Sequence, residues 1–269
     1  MSLSFAKAPL IEIIAELRWI PLEISTPNQM LPAQLSVPFL GDTRQENFLM
    51  RVSQKLGNLG FSEPERLVPP GFVTLLYQPI YRFKRVPDPS PVLYQVGLGI
   101  FSAHGLPPYR SWDSFSPEVE RGIDALLKAR DAKEQELSFS RISLRYIDAF
   151  NQELTKGRDE VAFIKDVLGI SIELPANIVN LVERGGSPKF GIQVALPVSN
   201  GMTMNLSLTE GTINNALSVI MDTTVSRETD LSGGVKETMS VLHAAHQIVH
   251  KAFLELTKPI HDAMQPQEL

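Results

Sequence analysis

The chain has 269 residues, which corresponds to one or two domains and leaves room for a core that needs no disulfide or metal staple. Hydrophobic residues make up 43% and charged residues 20%, a globular balance that excludes wholesale disorder. A net charge of −5 argues against a general nucleic-acid binder, and the lack of cysteine excludes disulfides, thiolate metal sites and thiol nucleophiles.

No early segment pairs a basic flank with an apolar core, and no uncharged run is apolar enough to span a bilayer. The expectation is a soluble, cytoplasmic protein. Residues 9–19 alternate, with Ile11, Ile13, Ala15, Leu17 and Trp19 on one face and Glu12, Glu16 and Arg18 on the other. That period predicts a half-buried strand. Residues 21–41 hold four prolines and no period, so they predict a loop. Thr43 and Glu46 form a capping-box pair that opens a helix to about Leu56, with Phe48, Leu49, Val52 and Leu56 inward.

Strands are expected at 72–85, with Pro79 at an edge or bulge, and at 92–102, joined by the proline-rich VPDPSP turn (86–91). Ser116, Pro117 and Glu118 predict the start of a second helix, reaching about Arg130 with a solvated charged tail. A strand follows at 139–150. The order β-α-β-β-α-β predicts a ferredoxin-like split βαβ first half, with both helices on one face of an antiparallel sheet.

The second half predicts a short helix at 159–168, strands near 177–184, 189–198, 202–209 and 213–226, and a long helix from Val235 to about Lys258, ended or kinked by Pro259. The fold class is therefore α+β, with domains at 1–152 and 153–269 packed closely. Around Asn200-Gly201, a three-residue loop pairs Val198 with Met202 and Ile192 with Leu208, bringing both apolar rows to one face. That register predicts a type I turn with Gly201 left-handed at a bulge.

Catalytic signatures are missing: there is no phosphate loop, nucleophile elbow, HExxH or EF-hand loop. Gly97-Leu98-Gly99 is a fragment of a dinucleotide fingerprint and reads instead as a place where another chain segment packs close. Ser232-Gly233-Gly234 reads as helix capping. His243, His246 and His250 lie on one side of the last helix at i, i+3, i+7. Three imidazoles of that spacing could hold zinc with one position open. However, HQIVH carries glutamine where a zinc peptidase has its base. His246 also sits in the stripe Val235, Met239, Leu242, Val249, Phe253, Leu256 and Ile260, so a core or rim role competes with a metal role.

Tyr109, Arg110 and Trp112 lie together in GLPPYRSWDSF, where exposed aromatics beside an arginine would suit a partner or ligand. Packing of the rings over a sheet end is the alternative. Arg145 points away from Leu144 and Tyr146, and Asp148 falls on the apolar face with no clear second carboxylate for acid–base work.

Four stretches carry a resemblance. They are Ala8-Pro9-Leu10-Ile11-Glu12, then YRF at 81–83 with YQVGLGIFSAHGLPPYRSWDSF at 94–115, then ISLRYIDAF at 142–150, and LHAAHQIVHKAFLELT at 242–257. Together the chain resembles a sporadically distributed prokaryotic family of hypothetical proteins of about this length. Asp148 stands where that family usually has asparagine. The resemblance brings no reaction, cofactor or catalytic residue. A patchy distribution implies genes that move between genomes, and hence by analogy a defence, toxin–antitoxin or immunity role.

The leading expectation is a non-enzymatic binding protein with a protein partner and no cofactor, the antitoxin, immunity or regulatory member of a mobile gene pair. A metal-dependent hydrolase using His243, His246 and His250 is one alternative. A small-ligand carrier with a pocket between sheet and long helix is another. A homodimer through the last helix would use the same apolar stripe.

Overall fold

Period-two patterning becomes strand and period-3.6 patterning becomes helix over most of the chain. The structure, a computed structural model, describes residues 3–21, 43–85, 90–108, 111–131, 134, 138–182 and 189–268. In chain order the elements are β1 (Leu3–Phe5), β2 (Leu10–Arg18), α1 (Thr43–Gly57), β3 (Glu63–Arg66), β4 (Pro79–Lys84), β5 (Val92–Gly97), β6 (Ile100–Gly105), α2 (Trp112–Ala129), β7 (Phe139–Phe150), α3 (Gln152–Thr155), α4 (Glu160–Asp166), α5 (Ala176–Val179), β8 (Ile192–Val198), β9 (Met202–Ile213), β10 (Ala216–Leu231), α6 (Val235–Thr257), α7 (His261–Met264) and β11 (Pro266–Glu268). The protein is α+β, with a large antiparallel sheet and a long C-terminal helix. The main sheet runs β3-β4-β5-β6-β2-β7-β10-β9-β8, and β1 pairs β11 apart from it.

The chain forms two compact units, each discontinuous in sequence. One comprises 12–144 and 226–246; the other comprises 1–11, 145–225 and 247–269. The border expected near 151–158 falls inside the second of these.

In the first unit β2 lies between β6 and β7, the two strands that α2 joins. This is the order of a split βαβ. The other side is longer than expected, because β3 to β6 make a four-stranded meander. The strand expected at 92–102 is a hairpin: β5 and β6 pair antiparallel around Leu98-Gly99. Gly99 adopts φ +70°, and a Cβ at Gly97 would stand 1.9 Å from the Gln78 carbonyl oxygen. The apolar run hid the turn because both arms are buried. The strand expected at 72–85 is confined to β4; Phe72, Val73 and Leu75 lie outside it and are exposed. Tyr77 (φ 64°) breaks the extended pattern before β4, and Pro79 opens β4 at a register shift against β5, the bulge expected there.

Register sets which residues share a face. Ile13, Ala15 and Leu17 oppose Gly105, Ala103 and Phe101, and α2 lies over this face. Arg51 Nε of α1 donates to the Ala129 carbonyl at the end of α2, 2.6 Å away, so the two helices run side by side. Trp19, Val52, Leu56, Phe61, Tyr94, Val119, Ile123 and Leu126 fill the space beneath them. α2 starts four residues before the expected Ser116. Ser111 caps it instead, its hydroxyl accepting from the Ser114 amide in a capping box with Ser114.

The second unit is built on Phe150, Leu154, Phe163, Ile164, Leu208, Met221, Ile260 and Met264. The β8–β9 hairpin pairs Val198 with Met202, Leu196 with Met204, Val194 with Leu206 and Ile192 with Leu208, the expected register. Gly201 is left-handed at φ +66° as expected. The turn is not type I, because Asn200 is also left-handed (φ 62°, ψ 27°), a conformation asparagine tolerates. The strand expected near 177–184 is instead the short helix α5 and a turn. α6 ends at Thr257, and Pro259 lies in the 3-10 turn that follows.

Candidate functional site

Trp112 occupies the first turn of α2, and only 5% of it is exposed. Its indole N–H donates to Nδ1 of His243 over 2.8 Å, and its ring stacks on His246 at 5.0 Å and 12°. The ring is buried against α6 rather than over a sheet end. Tyr109 and Arg110 lie outside the described residues, as do the VPDP part of the expected turn and most of the expected proline-rich loop.

The α6 histidines differ in setting. His243 is exposed but has Nδ1 occupied by Trp112, His246 is held against the indole, and burial pushes the His250 imidazole below its usual range. Among the described residues, no group of three His, Asp or Glu side chains is arranged to hold a metal ion.

Arg145 Nε and Nη2 donate to the two carboxylate oxygens of Asp222 at 2.8 and 2.5 Å, a bidentate pair that occupies the guanidinium. Asp148 is 3% exposed. Burial first, and the Asp222 charge second, raise its carboxyl to about 8. A carboxyl raised to that value holds its proton at neutral pH. Asp222 is the second carboxylate that sequence did not indicate, because the partner comes from β10, more than 70 residues away.

A polar cluster in the first unit was also unforeseen. On the β2–β6 face opposite α2, Glu12 Oε1 lies 2.8 Å from His104 Nδ1, and His104 Nε2 lies 2.8 Å from Ser102 Oγ. The sequence places Glu12 and Glu16 on one polar strand face, but the strand expected at 92–102 stops short of His104, and β6 runs on to Gly105. Only the β2–β6 register brings the two faces together.

Two surfaces stand out. In the second unit, Ile172, Leu174, Ile178, Val179, Leu181 and Val182 are all exposed, from 41% to 76%. Residues 170–182 carry one charge, Glu173. β8 ends the sheet order and carries no charged residue, whereas β3 at the other end carries Glu63, Glu65 and Arg66. Charges and prolines guard an edge against pairing with another chain; β8 has no charge, and Pro197 is its one such residue. In the first unit, a groove of about 480 Å³ opens between α1 and the β3–β4 edge, lined by Glu46, Leu49, Arg66, Phe72, Tyr81 and Phe83 among others. No helix among the described residues is long and apolar enough to cross a membrane.

Compared with family models, curated proteins and solved structures, the chain matches none.

Proposed function

We propose that this chain is a binding protein that docks a protein partner through residues 170–182 and the uncharged edge of β8. The observation that carries the reading is the run of six exposed large apolar side chains within eleven residues, next to a single charge. Scattered exposed apolar residues are ordinary, but six within one short stretch supply the apolar surface that a partner covers. The resemblance to a sporadically distributed prokaryotic family supports, by analogy, the neutralising or regulatory member of a mobile gene pair acting in the cytoplasm. The net charge of −5 favours a protein over nucleic acid as that partner.

The test is recovery from the native host with tagged wild-type chain and with the double variant Ile178→Asp, Leu181→Asp. Both positions are exposed, so folding stability should stay within ~0.5 kcal/mol. The reading expects one stoichiometric protein with wild type and its loss with the variant. Recovery of no stoichiometric protein, or equal recovery by both, counts against it.

The groove at α1 favours a second reading, a small-ligand carrier. Its volume lies within the range of small-molecule sites, roughly 300–1,000 Å³. The ligand would then sit beside α1 rather than under the long helix. A ligand-dependent rise in Tm that Phe72→Ala abolishes would support it.

A further inference from the structure

The Glu12–His104–Ser102 cluster has the order of roles that activates a hydroxyl. Glu12 accepts at His104 Nδ1, which puts the imidazole proton on that nitrogen and leaves Nε2 as an acceptor facing Ser102 Oγ. Both contacts are 2.8 Å, within the reach a nucleophile and its base require. Glu12 is partly open to solvent, with 29% of its side chain exposed, while Ser102 is 2% and His104 8% exposed.

The neighbours on this face complete the setting. Across the sheet, Ser102 stands directly between Glu16 of β2 and Gln95 of β5, and Gln95 stands opposite Arg82 of β4. Glu16 is held by Arg18 at 2.7 Å. Directly opposed side chains start ~4.5–5.5 Å apart at Cβ, so the Gln95 amide is within reach of an oxygen held over Ser102. Arg82 Nε is buried and makes no hydrogen bond. Ile14 and Leu93 flank His104 in the next row and make an apolar wall.

We propose that Ser102 is a nucleophile for acyl transfer from short-chain carboxylic esters, with His104 as its general base and Glu12 as a positioning residue. Ser102 Oγ attacks the ester carbonyl carbon while its proton passes to His104 Nε2. Gln95 donates to the developing oxyanion. The C–O bond to the leaving alkoxide breaks, and that alkoxide takes the proton from Nε2 and departs as an alcohol. Water then attacks the acyl-serine, gives its proton to Nε2 and releases the carboxylic acid, and Nε2 returns the proton to Ser102 Oγ. The burial of Ser102 limits the acyl group to a short one. This activity is independent of the partner surface at 170–182, and its test involves no partner.

The test treats purified full-length chain with a fluorophosphonate probe and maps the modified residue by peptide mass spectrometry. Turnover of p-nitrophenyl acetate is followed in parallel. The expected result is stoichiometric labelling at Ser102 in the folded protein and none after denaturation. Labelling and turnover should vanish in Ser102→Ala, and labelling should slow roughly 10²-fold in His104→Gln. Glu12→Gln should slow labelling about tenfold or more, with Glu12→Asp restoring part of the rate, which a purely structural role would not do. Folded wild type that is not labelled at Ser102, or is labelled there no faster than at other serines, overturns the proposal. That readout needs no variant to fold.

Discussion

Trp112 of α2 donates its indole N–H to Nδ1 of His243 on α6, 131 residues further along the chain. The bond requires the His243 tautomer with its proton on Nε2. Trp112→Phe puts a smaller ring in place of the indole and removes the donor. We expect a loss of at least ~1 kcal/mol in denaturant unfolding, the net worth of one such bond plus the packing lost with the smaller ring. A double-mutant cycle with His243→Ala should return a coupling of similar size. A coupling near zero would mean that the geometry contributes no stability.

Asp148 predicts stability that falls as pH rises. Its folded carboxyl titrates near 8, well above the ordinary unfolded aspartate value of ~3.9. Below pH 4 both states are protonated. Between about 4 and 8 the unfolded chain releases the proton and the folded chain holds it, so each step up in pH favours unfolding. Above 8 the slope from this group ends. Asp148→Asn should flatten the profile and stabilise the protein at pH 8 by up to a few kcal/mol. Guanidinium melts of both proteins at pH 5, 6.5 and 8 give the comparison, and parallel profiles would contradict the buried neutral carboxyl.

Gly122 sets helix propensity against packing. Alanine is the better helix former by ~1 kcal/mol. A methyl at this position would stand 2.5 Å from Tyr94 Cε1 and 2.9 Å from Phe101 Cζ. Both rings are buried, and overpacking costs ~1–3 kcal/mol. The clash should win, so Gly122→Ala should lower Tm. A raised Tm would show that the rings yield.

The β8–β9 turn makes two residue-specific demands. Asn200 and Gly201 are both left-handed. Gly201→Ala should cost ~1–2 kcal/mol, because Cβ crowds the backbone at positive φ. Asn200→Gly should be nearly neutral and Asn200→Val clearly destabilising. Thermal melts of the three variants rank them directly.

Much of the architecture follows from one-dimensional pattern alone. Alternation at 10–18 and 139–150, and the 3.6-residue period at 43–57 and 235–257, place those elements because burial of one face requires that spacing. The β8–β9 register is legible because a one-residue slip would turn Leu206 and Leu208 away from the core. Patterns fail where both faces are buried, as at Leu98-Gly99, since a continuous apolar run gives no sign of a reversal. They fail again where a turn residue outside the expected set, such as Tyr77, ends a strand.

The chemistry is the tertiary structure's doing. Glu12 and His104 are 92 residues apart, and Arg145 and Asp222 are 77 apart. Each residue by itself is an ordinary polar position on a strand. Hydrogen-bond order, carboxyl titration and a raised Asp148 depend on distance through space and on lost water, and neither quantity exists until strands from distant parts of the chain fall into register. Pattern alone placed the long strands and helices and most of their inward faces, and missed the β5–β6 reversal and α5. Folding set which polar side chains meet, and with that the partners of His104 and the raised carboxyl of Asp148.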